Sequence, residues 1–419
     1  MVRKSIVAGI ICLCIASCFP TQKTEKADRN LSYIYNPNTS YIHPDHIVFH
    51  RNDSISDLFV RINTNELLFN MANSSSQLAS ALSFHYEVYQ YNDTAGKMLA
   101  DSGKYDFEIY KNITGKEYIA QIPFKAKYNN TYMLRVFMYD LMRNYWLQTF
   151  LPVDKNDRCN TQNFRVISNK NRMYVFNHTV TNADSYRLES KTNRSFKKYY
   201  IAYFRLRDRY NVSDAGFVND MLVNPDSAWT ISKSDSAVFS FTSEGSYLIK
   251  PDSLCEQGML LHQFGPNYPD IKTVQELARP LCYLTSIDEY RQIIASSKLK
   301  KEIDDFWLKA GGSEERGKQL IKIYYNRVKY SNLYFTSDRE GWKTDRGMIY
   351  ILFGPPSKLY KSDNEEKWIY IGNNTETTFI FRKRNNPYTF NDFIIQPGNT
   401  TETLIDEIVD RWLQGKTLF

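Results

Sequence analysis

Apolar and polar residues alternate through the first part of the chain. Residues 82–91 (Leu-Ser-Phe-His-Tyr-Glu-Val-Tyr-Gln-Tyr) are the clearest case. Every second side chain faces one way, which is the period of a strand with one buried face. Similar runs sit at 46–51, 58–67, 105–110, 117–124, 132–139 and 145–153. Turn signals separate them at Asn92-Asp93, Ser102-Gly103 and Asn129-Asn130. About seven short strands over ~100 residues predict an immunoglobulin-like β-sandwich across 45–154. Tyr132 and Tyr139 fall late in that run, where a tyrosine corner would lie, but its partner loop is not legible.

A second β-rich stretch, 155–285, carries candidate strands at 164–168, 172–177, 185–188, 199–206, 228–232, 237–242, 246–250 and 258–264. Two long polar loops, 207–227 and 265–275, interrupt it. We expect a second, less regular sandwich there. The period then changes. Ser286 with Glu289 three residues on reads as a capping box, and Ile287, Tyr290, Ile293 and Ile294 mark one helix face. A helix over 298–310 stops at Gly311-Gly312, and Ser313 caps the next, with Leu320, Ile321, Tyr324, Tyr325 and Val328 at helical spacing. The unbroken apolar run after Gly347 reads as a buried strand stopped by Gly354-Pro355-Pro356. A hairpin (367–371 with 377–382) and a helix (402–414) complete a small α+β domain over 286–419. The fold class is therefore mainly β with a C-terminal α+β domain.

The N-terminus adds a location. Arg3 and Lys4 precede a short apolar run, 6–15, too short to span a bilayer as a mature helix. It ends in Ile15-Ala16-Ser17-Cys18, which fits a bacterial lipobox: aliphatic, small, small, then the Cys that takes the lipid. Residues 1–17 are thus expected to be a lipoprotein signal peptide, Cys18 the lipidation site, and 18–44 a polar tether. The expected location is the cell envelope, at the outer membrane facing the periplasm, with surface exposure as the alternative. A net charge of +7 is small for 419 residues and gives no reason to expect a nucleic-acid partner.

Cysteine usage is compatible with export. Beyond Cys18, only Cys159, Cys255 and Cys282 remain. Three thiols allow one disulfide at most, and Cys159–Cys282, Cys255–Cys282 and three separate buried thiols all stay open. No Cys-x-x-Cys occurs after Cys18, so no cysteine zinc site is expected. His43, His46 and His50 sit close together, but Pro44 and Val48-Phe49 argue for extended chain, and no metal is expected there. Gly312 and Gly317-Lys318 approach a P-loop, yet Gln319 stands where a Ser or Thr should be. No cofactor is expected.

The densest signal is Gly341-Trp342-Lys343-Thr344-Asp345 with the apolar run beyond it. The chain here resembles the GWxTD domain family. Phe306-Trp307, Tyr324-Tyr325-Asn326-Arg327-Val328 and Asn332-Leu333-Tyr334-Phe335 match the helices before the motif. Arg346-Gly347-Met348-Ile349-Tyr350-Ile351-Leu352-Phe353-Gly354-Pro355-Pro356 matches the segment and turn after it, and Trp368-Ile369-Tyr370 the downstream strand. The resemblance covers about 286–388, with Met348 where a basic residue is common. It implies no catalytic residue.

The residues themselves suggest structure. Gly341 and Gly347 suit tight approach or positive φ, Trp342 a core plug, and Thr344 and Asp345 backbone capping, with Asp345 paired to Arg346 or Arg327. Gly354, Pro355 and Pro356 close the motif. These readings favour a lipid-anchored, non-enzymatic structural or protein-interaction module with an envelope protein partner. The alternatives are a glycan-binding protein, which expects a row of exposed aromatics, and a carboxylate-dependent glycan-active enzyme. The enzyme expects two carboxylates about 5–10 Å apart in a cleft near Asp345.

Overall fold

A computed structural model describes residues 30–417, apart from 72–76, 93–95, 112–114, 191–196, 207–209, 212–215, 218–223, 234–237, 363, 373–374 and 399–400. The expected signal peptide, Cys18 and the first part of the expected tether lie outside the described residues. No helix among the described residues is long and apolar enough to cross a membrane.

The first unit contains β1 (Asp45–His50), β2 (Ile55–Asn63), β3 (Asn70–Met71), β4 (Leu78–Asn92), β5 (Gly96–Tyr110), β6 (Glu117–Lys125), β7 (Thr131–Asp140) and β8 (Tyr145–Asp154). One sheet has the order β1-β2-β6. The other runs β3-β4-β7-β8, with β5 also paired to β4. The alternation in β4 does what its period requires: Leu82, Phe84, Tyr86 and Val88 turn inward. They meet Leu134, Val136 and Met138 of β7 and Leu58, Val60 and Ile62 of β2 in one core. Each fully buried side chain of this size contributes about 1.5–3 kcal/mol. The Tyr132 hydroxyl accepts from the Lys127 amide at 2.8 Å and donates to the Lys127 carbonyl at 3.0 Å. That bond back to the preceding loop is a tyrosine corner, and Tyr132 rather than Tyr139 makes it.

The second unit contains β9 (Phe164–Ser168), β10 (Tyr186–Ser190), β11 (Lys198–Arg205), β12 (Tyr210–Asn211), β13 (Gly216–Phe217), β14 (Ser227–Ser232), β15 (Val238–Phe239), β16 (Gly245–Lys250) and β17 (Met259–Gln263). Sheets β15-β10-β9 and β14-β11-β16-β17 close over a shared core that includes Val166, Tyr186, Ile201, Tyr247 and Leu261. Corner hydroxyls recur here: Tyr186 accepts from the Thr181 amide, and Tyr247 brackets Ser243. The strand expected over 172–177 is reduced to one bridge between Ile167 and Tyr174. Arg172 takes φ 59°, and Phe176 leaves the second core to pack on Phe49 and Phe59 of the first unit. This segment joins the two sandwiches instead of extending a sheet.

The disulfide is Cys159–Cys255, neither of the pairs expected from the sequence. It ties the entry of the second sandwich to the loop between β16 and β17. Cys282 is buried elsewhere, in the C-terminal core.

Two buried histidines make the fold acid-sensitive. His50 bonds Ser56 Oγ at 3.0 Å and the Asp154 carbonyl at 2.9 Å, contacts that suit a neutral ring. His262 bonds Ser246 Oγ at 2.9 Å and stacks on Phe264 at 4.7 Å. Burial pushes their pKa values down to about 3 and about 4. The unfolded rings take up protons below about pH 6.5 while the folded ones stay neutral. Their contribution is therefore intact above that pH and is lost as the pH falls toward the folded values. Between about pH 8 and pH 5 each should remove about 2 kcal/mol. Urea midpoints at the two pH values check this, and coincident midpoints would refute it.

The third unit holds α1 (Val274–Ala278), α2 (Ile287–Ala295), α3 (Leu299–Gly311), α4 (Glu314–Phe335), α5 (Asp345–Phe353) and α6 (Thr401–Leu413). Its sheet is β18 (Lys358–Lys361), β19 (Glu365–Ile371), β20 (Glu376–Lys383) and β21 (Phe393–Ile395), in that order. The N-caps read from the sequence are present, with Ser286 and Ser313 accepting from the third helical amide, but the Glu289 side chain does not return the bond that would complete a capping box; Gly312 takes the left-handed C-cap at φ 67°.

Two expectations fail here. Residues 345–353 form α5, not a strand. Every position of α5 from Arg346 to Phe353 is buried, so its apolar run carries no helical period. The tether is also not free over its described part. Residues 31–35 enter this unit's core, with Leu31 and Tyr35 at 1% and 4% exposure.

Candidate functional site: the turn at Gly341 and its buried charges

The turn is built by close approach. A methyl group on Gly341 would lie 2.0 Å from the Ser331 carbonyl oxygen of α4, and one on Gly347 would lie 2.0 Å from the Gly341 carbonyl oxygen. Neither glycine has positive φ, so close approach, not φ, makes both positions glycine. Gly354 does take positive φ, 85°, and Arg327 sits over it. Pro355 and Pro356 then turn the chain into β18.

Trp342 is the core plug expected, 3% exposed. Its amide donates to Asn332 Oδ1 at 3.1 Å, and its carbonyl accepts from the Tyr283 hydroxyl at 2.8 Å. Thr344 Oγ1 donates to the Gly341 carbonyl and accepts from the Gly347 amide, so one hydroxyl closes the turn and caps α5. Buried Lys343 pairs with Glu340, which also takes Arg279 at 3.3 Å.

Asp345 pairs with neither Arg346 nor Arg327. Its Oδ2 accepts from the Ile395 amide at 2.8 Å and pins β21 to α5, while burial raises its carboxyl pKa. Arg327 Nη1 instead donates to the Ile351 and Leu352 carbonyls, both at 3.1 Å, capping the end of α5. Burial lowers its pKa to about 10, leaving it charged at neutral pH.

Arg346 has the most enclosed environment of the motif, at 0% exposure. Nη1 donates to Glu366 Oε1 at 3.0 Å, and Nη2 donates to the Asn391 carbonyl and Oδ1 at 2.8 and 2.6 Å. Its guanidinium lies over the Phe393 ring at 4.3 Å. Glu366 also takes Lys361 at 2.8 Å, the Tyr35 hydroxyl at 2.9 Å and Trp368 Nε1 at 3.1 Å. Burial alone would raise this carboxyl, but the Lys361 and Arg346 charges outweigh burial and hold it at about 2. Lys361 shifts the other way and is raised: burial lowers it, but the charges of Glu366 and Tyr35 outweigh that. Tyr35 is held on its other side by its carbonyl, which accepts from the Tyr350 hydroxyl at 2.8 Å.

The geometry thus gathers Gly341, Trp342, Thr344, Asp345, Arg346, Gly347 and Gly354 around α5. The family model of the GWxTD domain matches residues 245–414. The chain carries a GWxTD domain. The match begins in β16, earlier than the resemblance at 286, so it takes in the last two strands of the second sandwich. Comparison with curated proteins gives no match.

Sequence reasoning missed Tyr35, Glu366 and Asn391, the partners of Arg346, and Lys361, the second cation on Glu366. One signal was available for Glu366. It stands two residues before Trp368 on β19, so both face the core where a polar residue is out of place. Among the described residues, no group of three His, Cys, Asp or Glu side chains is placed to hold a metal ion. Chemically, the site fixes a turn: each charged group of the motif has a partner inside the domain.

Proposed function

We propose that this chain is a lipid-anchored, non-enzymatic module of the cell envelope, in which two sandwiches and a rigid GWxTD domain present a surface to a protein partner. One observation carries the reading. The motif's acids and bases are committed to internal bonds: Asp345 to the Ile395 amide, Arg346 to Glu366 and Asn391, Lys343 to Glu340. A carboxylate enzyme would need these groups open to substrate. The lipobox ending in Cys18 supports attachment to the outer membrane, and the Cys159–Cys255 disulfide suits an oxidising compartment.

The anchor is tested by Cys18→Ser. The variant should move from the membrane fraction to the soluble envelope fraction, and unchanged membrane retention would overturn lipidation. The partner is tested on the full-length protein in mild detergent. It should migrate as a stoichiometric complex with a second polypeptide; a lone monomer would overturn the interaction reading.

A further inference from the structure

A cavity of about 360 Å³ lies where the three units meet. The end of β8 and the turn after it supply Asp154 and Asn160, the loop after β16 supplies Gln257, and the C-terminal unit supplies Asn364 and the segment after β20. Its volume is at the low end for small-ligand pockets, about 300–1,000 Å³.

The lining combines carboxamides with aromatic rings. Gln257, Asn364 and Asn385 line this space, and no side-chain hydrogen bond joins them to another described residue. Asp154 adds a carboxylate. Tyr388 and Phe390 add aromatic side chains to the lining, and Tyr388 packs against Phe204, Leu248 and Leu260. Arg384 is paired with Asp392 at 2.8 Å, though its buried Nη2 makes no hydrogen bond, and Lys383 lies over the Phe390 ring at 5.3 Å. An anionic ligand such as a phosphate would meet the Asp154 carboxylate. A lipid chain would need an apolar lining.

We propose that this cavity binds a short glycan containing an acetamido sugar. Planar amides and a carboxylate match vicinal hydroxyls, which both donate and accept. The acetamido N–H and carbonyl match carboxamides in the same way, and its methyl group and the sugar's C–H face pack on aromatic rings. The site is independent of the lipid anchor and of any protein partner, so its failure and theirs are separately readable.

The first sandwich offers a rival sugar surface. Phe137, Tyr139 and Trp146 share the outer face of its larger sheet, with Tyr139 and Trp146 nearly parallel at 6.1 Å. The glycan-binding alternative expects a row of exposed aromatics, and these rings are half-buried.

The test is calorimetric titration of the whole mature protein with N,N′-diacetylchitobiose, and with cellobiose as the analogue lacking acetamido groups. Saturable binding of the first is expected, at least about tenfold tighter than of the second. Asn385→Ala and Gln257→Ala should each weaken it about tenfold with unchanged melting temperature, and Trp146→Ala should leave it unaltered. Absence of saturation by chitobiose up to about 20 mM would overturn the proposal. So would equal affinity for cellobiose, insensitivity to both pocket variants, or loss of binding in Trp146→Ala alone.

Discussion

Gly341→Ala should unfold the C-terminal domain. The added methyl carbon would sit 2.0 Å from the Ser331 carbonyl oxygen, 2.7 Å from its carbon and 2.8 Å from the Asn332 Cα. All three are backbone atoms of α4, so no side chain can swing away. That helix is itself fixed by Tyr324, whose hydroxyl donates to the Pro280 carbonyl at 2.6 Å, and by Arg327 on the end of α5. Displacing it would also break the bond from the Trp342 amide to Asn332. Overpacking a core commonly costs about 1–3 kcal/mol, and a clash between backbones should reach or pass the upper end. Gly115→Ala is the control: a methyl group there meets nothing within 4 Å. It should be neutral or slightly stabilising, since alanine restricts the unfolded chain. Urea denaturation followed by helical circular dichroism reads both. A Gly341→Ala protein as stable as the parent would show that the two segments are not in contact.

Removing one partner of the Arg346–Glu366 pair should be comparably damaging. Both side chains are at 0% exposure, so the survivor has no route to water. Breaking a buried pair costs about 3–5 kcal/mol, because the remaining charge stays desolvated. Arg346→Met leaves Glu366 with Lys361 as its only cation; Glu366→Leu leaves Arg346 and Lys361 facing each other without a counter-charge. The double replacement should recover part of the loss, since an apolar pair can match a buried ion pair, while Lys361, 25% exposed, is left without its counter-charge. Acid behaviour separates the variants. With Glu366 held at about 2, below its unfolded value near 4.5, its contribution is present above about pH 4.5 and is lost as the pH falls toward 2. In Arg346→Met one of the charges holding the carboxyl down is gone, so its folded value rises toward the unfolded one, and the acid loss should be smaller and complete at a higher pH. Additive single and double effects would mean that the two residues are not coupled.

Local signals in the sequence were legible and distant ones were not. Alternation in 82–91 located a central strand because one of its faces is buried and the other is not. Ser286, Ser313 and Gly312 marked helix ends because a cap acts on amides or carbonyls within a few residues. Trp342 was readable as core from its size and surroundings. By contrast, α5 carries no period, since a segment buried on all sides shows neither face. The partners of Arg346 come from positions 35, 366 and 391, and no spacing rule links them to the motif. The disulfide fell outside the expected pairs because separation along the chain says little about proximity in a sandwich.

Residues 31–35 lie before the first sandwich in sequence and inside the last domain in space. The Leu31 amide donates to the Leu359 carbonyl at 2.8 Å, and Tyr35 shares Glu366 with Arg346. The chain is therefore joined to itself near both ends, with the sandwiches held inside the closed circuit. During synthesis the earliest of these segments must wait for the ribosome to deliver the latest, so the C-terminal core is completed only once nearly the whole chain exists. A pull applied at residue 30 meets this cluster of aromatic rings and charges first, and reaches the C-terminal domain without passing through either sandwich.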